Sequence, residues 1–185
     1  MTLRPMTLRP MTLRLATADD IEALADLGRR AFVAKFGDLY SAANLAAFLA
    51  ESHTPEKVAR ELADPGMAIA VIEEPGDPTG KTIGAFCKIT YASTLPRHSD
   101  ALAPFELKQL YTDPDLVGRG MGARLMDWAL DQARKAGADE LQLSVYADNP
   151  DAQRFYARYG LEKIADITFR VGDHIDPEIL MAVRL

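Results

Sequence analysis

The chain has 185 residues, 48% of them hydrophobic, and a formal net charge of −6. That length suits one domain with a substantial core, and the acidic balance argues against nucleic acid or an anionic membrane surface as the main partner. The single cysteine, Cys87, excludes a disulfide framework and points to a reducing, cytoplasmic setting. No apolar run approaches the roughly 18 residues of a membrane span. His53, His98 and His174 show no ligand spacing, so no metal is expected.

Met1-Thr2-Leu3-Arg4-Pro5 recurs as residues 6–10 and nearly again from Met11 to Leu15. The unit is too short for a solenoid repeat, and an arginine interrupts what would be the apolar core of a secretion signal. It reads as a duplicated start, with Met11 the functional beginning. Residues 1–10 are therefore expected to be an extension without function, and 11–185 a single domain. The third copy, from Leu13 to Thr17, reads as the first strand.

Thr17 then caps a helix with Asp19 and Asp20 in its first turn and a stripe of Ile21, Leu24, Leu27, Ala31 and Phe32. Ser41 caps a second helix, with Leu45, Phe48 and Leu49 facing inward. Thr54-Pro55-Glu56 opens a third, ended by Asp64-Pro65-Gly66. Strands are expected at 67–73 and 82–91, joined by a Pro- and Gly-rich turn from Glu74 to Lys81. The loop 92–104 is long for a compact domain, and such loops are often functional.

The most informative stretch runs from Phe105 to Leu161: an apolar strand, a glycine turn, an amphipathic helix to about Ala136, a strand, and a helix opened by Asn149. The turn reads Val117-Gly118-Arg119-Gly120-Met121-Gly122-Ala123. A glycine inside a helix costs up to about 1 kcal/mol relative to alanine, and bare N–H groups at a helix start bind phosphate without side chains. A phosphorylated cofactor is the natural reading. A P-loop would need Gly-Lys-Ser/Thr, whereas Gly122 is followed by Ala123-Arg124. The looser dinucleotide pattern fits Gly118 to Ala123, with Asp139-Glu140 downstream, but residues 113–117 separate strand from glycines and no long βαβ series follows. A nicotinamide or flavin site and an unliganded helix entrance stand as alternatives. Strands follow at 161–171 and 179–184, which makes a mixed α/β sheet.

Leu110-Tyr111-Thr112-Asp113-Pro114, followed by Gly118-Arg119-Gly120-Met121-Gly122, resembles the acetyl-CoA-binding motif of the GNAT superfamily of N-acetyltransferases. The run from Asn149 through Ala152, Phe155-Tyr156 and Arg158 to Gly160-Leu161 is similar to that superfamily's second motif. Val117 departs from the Gln or Arg usual there. The resemblance implies a mixed, mostly antiparallel central sheet flanked by helices, and acetyl-CoA as co-substrate. It implies a cofactor set of Leu110, Tyr111, Thr112, Val117, Gly118, Arg119, Gly120, Met121, Gly122, Ala123, Asn149, Ala152, Tyr156 and Arg158. With the pyrophosphate held mainly by backbone N–H groups, Val117 tunes affinity. Residues 31–40 and 45–49, with 168–173 and 179–181, resemble the bacterial spermidine/spermine acetyltransferase branch. A small-molecule amine acceptor, a polyamine among the candidates, and a homodimer are what such a resemblance implies.

Amide formation requires a base for the ammonium proton, donors for the developing oxyanion and an acid for the departing thiolate. Strand N–H groups near Leu110 and Tyr111 are the oxyanion candidates. Tyr156 is the expected general acid, by its place in the Phe-Tyr pair. It shares a helical face with Asn149 and Ala152, while Phe155 and Tyr159 face the core. Glu106 is the expected general base, with a salt bridge to Lys108 or a solvent-facing strand position as the alternatives. By resemblance, Asp38, Asp173 and Asp176 border the acceptor cleft. A catalytically silent acyl-CoA sensor is the reading from another class, and retention of Tyr156 and Glu106 argues against it.

Overall fold

The computed structural model describes residues 11–74 and 82–185. The two leading pentapeptide copies and most of the 74–81 turn lie outside them. The strands are β1 (Leu13–Leu15), β2 (Met67–Glu73), β3 (Ile83–Thr90), β4 (Pro104–Thr112), β5 (Glu140–Tyr146), β6 (Glu162–Val171) and β7 (His174–Arg184). The helices are α1 (Ile21–Phe36), α2 (Ala42–Ser52), α3 (Pro55–Ala63), α4 (Met121–Lys135) and α5 (Pro150–Ala157).

The strands form one sheet in the order β1-β2-β3-β4-β5-β7-β6. Every neighbouring pair is antiparallel except β4–β5. This is the mixed, mostly antiparallel architecture expected from the sequence. Period-two alternation splits the side chains between two faces. Ala70, Ile72, Cys87 and Phe105 meet Leu125, Met126 and Ala129 of α4. Ile69, Val71 and Phe86 meet Leu24 and Leu27 of α1 and Val58 of α3.

Local signals set most element ends. Ser41 Oγ accepts from Asn44 N–H at 3.2 Å, and Thr54 Oγ1 from Lys57 N–H at 3.2 Å, with Pro55 at the first helical position. Thr17 opens a short 3-10 turn, Ala18–Asp20, before α1 begins, one turn later than the capping signal suggested. The first strand is shorter than expected, ending at Leu15. The largest departure is β7, which starts at His174 rather than 179 and pairs with β6 from the Val171↔His174 turn onward.

β1 is tied down by charge. Arg14 donates to both carboxylate oxygens of buried Asp20, at 2.7 and 2.9 Å, and to Glu73 on β2 at 2.8 Å. The Arg14 hydrogen bond, above all, holds the Asp20 carboxyl below the usual carboxylate range. A depressed folded-state pKa stabilises the fold above the unfolded value, about 3.9, and that stabilisation disappears as pH falls through the folded value. In urea titrations, wild type should therefore exceed Asp20→Asn in stability most at pH 7, with the margin shrinking below about pH 4. A margin independent of pH would show that the ion pair is not its source.

Candidate active site

β4 and β5 pair only at Pro104↔Glu140, Phe105↔Leu141 and Glu106↔Gln142. Beyond those residues the two strands part. A bulge helps: Lys88 faces Gln109 but Ile89 faces Leu107, so Lys108 is the extra residue on β4. Leu107 and Leu110 both pack on the α4 side, three positions apart, while Tyr111 packs on the α1 side with Phe86. The bulge thus turns one residue's worth of alternation over and bends the strand. A cavity of about 720 Å³ occupies the opening, walled by α1, β4, β5, β7 and one face of α5.

The glycine turn closes one end. Asp113 accepts from Asp115 N–H at 3.0 Å and from Arg30 at 2.8 Å, and its own N–H reaches Gly84 O at 2.8 Å. This pins the end of β4 to α1 and β3. Gly118 and Gly120 then take φ of +86° and +81°, and a Cβ added at either would meet nothing within 4 Å. Gly120 is the N-cap of α4 and supplies no side-chain cap. The helix's first N–H groups have no intrahelical partners, and the two glycine positions beside them are open.

Eight expected site residues line the cavity: Glu106, Leu110, Tyr111, Thr112, Val117, Asn149, Ala152 and Tyr156. Gly118 to Ala123 form the adjoining helix entrance, where Met121 turns its side chain into the core and Arg119 is exposed. The Ala123 carbonyl accepts from Tyr159 Oη at 3.4 Å. Arg158 is set apart: its guanidinium lies 5.3 Å from the Phe155 ring, beside a shallow depression bordered by Asp151 and Arg154. Asn149 is nearly buried and caps α5, its Oδ1 accepting from Ala152 N–H at 3.3 Å.

Tyr156 is partly buried against the α4-side core near Cys87. Burial pushes its phenol well above the ordinary tyrosine range, so it keeps its proton and stays a donor at neutral pH. Tyr111 behaves alike, raised by burial and then by Tyr156 and Glu178 nearby. Glu106 is not solvent-facing. It is buried, and its Oε2 accepts from Thr94 N–H at 2.7 Å and Thr94 Oγ1 at 2.8 Å, while Oε1 pairs with Lys108 at 3.1 Å. The long loop before β4 thus folds back over the neck of the sheet. It is held there too by Asp139, which accepts the Leu102 and Ala103 N–H groups at 2.7 and 2.9 Å. Glu140 is likewise engaged by Ser99 and Gln142, at 2.7 and 2.6 Å, so the acidic pair of the dinucleotide pattern is spent on the sheet.

On the opposite wall, Asp176 is where the resemblance implied it, lining the cavity, while Glu178 was missed in the sequence. Because β7 begins at His174, Asp176 and Glu178 are alternate residues of a strand and share the cavity face. Buried Asp176 accepts from Tyr40 Oη and lies 3.1 Å from His174 Nε2. Glu178 lies opposite Tyr146 of β5. Burial raises its carboxyl above the ordinary range, the Asp176 charge adds to this, and the Ser144 hydroxyl opposes it. Its Oε2 is buried without a hydrogen-bond partner, as is Gln109 Oε1 in the same cavity. The strand was hidden by Pro177, which reads as a loop residue yet pairs opposite Thr168. Asp38 and Asp173 do not line the cavity; both are exposed, and Asp173 N–H donates to Asn44 Oδ1 at 3.0 Å. Among the described residues, no group of three or more His, Cys, Asp or Glu is placed to hold a metal ion, and no helix is long and apolar enough to cross a membrane.

An uncapped helix start, a protonated phenol and a carboxylate wall therefore share one opening. They suit a phosphorylated acyl donor at one end and a cationic nucleophile at the other. A family model described as the acetyltransferase (GNAT) family matches residues 36–161. An uncharacterized N-acetyltransferase of Mycobacterium tuberculosis is 30% identical over 166 residues, covering 90% of this chain and 98% of that protein. Among solved structures, the PaiA N-acetyltransferase of Thermoplasma acidophilum, in complex with coenzyme A, superposes with a TM-score of 0.73 at 18% identity, covering 96% of this chain and 100% of that one. YncA of Salmonella typhimurium, solved with its cofactor acetyl-CoA, gives 0.68 at 19% identity, covering 96% of this chain and 95% of that one.

Proposed function

Because the chain belongs to the acetyltransferase (GNAT) family, we propose that it transfers acetyl from acetyl-CoA to the primary amine of a small molecule, by direct attack in a ternary complex. The observation that carries this reading is the opening between β4 and β5, with the uncapped glycine entrance of α4 at one end and the acidic wall of β7 at the other. The two neighbours solved with coenzyme A and acetyl-CoA support the choice of co-substrate. Acetyl-CoA supplies an activated thioester and a thiolate leaving group.

The chain supplies the rest. N–H groups at the start of α4 would hold the pyrophosphate, aided by the positive end of the helix dipole. Backbone N–H groups of β4 near Leu110 and Tyr111, freed from β5 by the parting of the strands, would face the thioester carbonyl. Tyr156, kept protonated by burial, would donate to the departing sulfur. Glu106, held by Thr94 and Lys108, would act on the amine through water. A polyamine is the favoured acceptor, since the cavity pairs acidic Asp176 and Glu178 with the aromatic rings of Tyr40, Phe48 and Phe169. Buried Cys87 agrees with a reducing, cytoplasmic setting.

The test is free-thiol release from acetyl-CoA against spermidine, spermine, putrescine, amino acids, aminoglycosides and lysine peptides. Turnover with one class supports the reading and identifies the acceptor; acetyl-CoA binding without turnover would favour the sensor alternative. Tyr156→Phe should leave acetyl-CoA affinity nearly intact and lower kcat by about 10²–10⁴. An unchanged kcat would remove the acid role from the rate-limiting step. Gly120→Asp places a side chain and a negative charge at the helix entrance and should abolish acetyl-CoA binding in calorimetry. Normal binding by that variant would refute the assignment of the turn.

A further inference from the structure

We propose that Glu178 receives the acceptor's ammonium group and takes its proton directly, in place of the water-relayed base role given to Glu106 above. The proposal rests on the acetyltransferase reading above and concerns the acceptor side of the same cavity.

The two carboxylates differ first in what already occupies them. Glu106 has donors on both oxygens: Thr94 N–H and Oγ1 on Oε2, and Lys108 on Oε1. Glu178 interacts with the Ser144 hydroxyl but keeps a buried Oε2 with no partner. An unsatisfied buried acceptor is costly, and a ligand donor is the natural remedy. A primary ammonium brings three N–H donors. Gln109 Oε1, also buried and unpartnered, lines the same cavity and offers a second acceptor.

Position separates them further. Glu106 lies at the neck of the sheet, in the last β4–β5 pair. At about 3.3 Å per residue it is roughly 13 Å along β4 from Leu110, where the reacting carbonyl is expected. Glu178 acts electrostatically on Tyr111, which also feels Tyr156. Tyr111 of the oxyanion strand thus lies within electrostatic reach of both the base candidate and the acid candidate, and all three line one cavity.

Chemistry favours the same residue. A base is most useful when its pKa lies near the working pH, and Glu178 is shifted in that direction by burial and Asp176. The groups around it are Asp176 on its own strand, Ser144 and Tyr146 on β5, Tyr111 on β4, and Tyr40 beyond α1, with His174 against Asp176. In the reaction, one N–H proton passes to Glu178 and on to solvent. The nitrogen lone pair then forms the C–N bond and the C–S bond breaks. The nitrogen's second proton balances the one Tyr156 gives to sulfur.

The experiment compares wild type, Glu178→Gln, Glu178→Asp and Glu106→Gln, with spermidine and n-propylamine as probe amines. Acetyl-CoA affinity, calorimetric binding of each amine to the CoA-saturated enzyme, and the pH profile of kcat/KM are measured. Glu178→Gln should bind acetyl-CoA normally and lose at least about 100-fold in kcat/KM. It should also lose the limb along which wild-type activity falls as pH drops, and Glu178→Asp should keep that limb at reduced rate. Glu178→Gln should melt at or above the wild-type temperature, because a partly buried charge beside Asp176 is gone; loss of a residue with only a structural role would lower it. A Glu178→Gln enzyme with wild-type rate and pH limb, or loss of that limb in Glu106→Gln alone, overturns the proposal. If Glu178→Gln does not fold, the proposal falls unless Glu178→Asp folds and keeps the limb. If wild type binds acetyl-CoA but neither probe amine, the small-amine reading fails and takes this one with it, while the co-substrate assignment stands.

Discussion

The parallel ladder between β4 and β5 is three residue pairs long, and the function of the molecule hangs on that shortness. Parallel pairing is slightly weaker per residue than antiparallel pairing. β5 satisfies its other edge against β7 along its whole length, from Glu140↔Arg184 to Tyr146↔Glu178, while β4 is drawn to β3 through a bulge at Lys108. Each strand thus has a better partner on its far side. The gap between them exposes backbone and side chains that a closed sheet would bury, and α1 and α5 wall it without filling it.

Charge follows a division of labour across this opening. Asp20, Asp113, Asp139 and Glu140 are all engaged by arginines, backbone N–H groups or hydroxyls, and each fixes one element to another. Lys88, equally buried, is matched to Glu61 of α3 at 2.5 Å. His53 lies under α1 among Phe32, Phe48 and Tyr111, and burial, with the Lys88 charge adding, pushes it down to about 4, so it is neutral at physiological pH. Against this background of paired charges, the half-buried Glu178, with a buried oxygen left idle, stands out, because folding alone gains nothing from it.

What the sequence reveals is what local chemistry decides. Ser41, Thr54 and Asn149 each cap the helix that follows them, and the glycines around 118–122 are legible because their conformations are costly for other residues. Tyr156 and Asn149 were findable from a motif and a helical spacing. Three things were not. The bulge at Lys108 arises from the pairing of β4 with β3 and has no signature in residues 104–112 themselves. The early start of β7 was hidden by Pro177, which suggests a loop, yet here it pairs opposite Thr168 on the neighbouring strand. The packing of Arg158 over the Phe155 ring is not written in the motif that holds it. The first two depend on contacts between residues distant in sequence.

Met121 opens α4 with its side chain in the core, against the backbone of Gly84, where a Cβ would come within 3.0 Å of its sulfur. The start of this helix is thus bolted to β3 before any ligand arrives, and its N–H groups need no ordering when one does. The acceptor side is assembled differently, from side chains of β7, the loop before β4, the turn at Tyr40, and α2, which buries no residue completely. One half of the cleft is stiff and built from backbone; the other is made of interchangeable side chains on replaceable segments. Descendants of this chain could exchange one nucleophile for another by redecorating that second half, without renegotiating their grip on the shared donor.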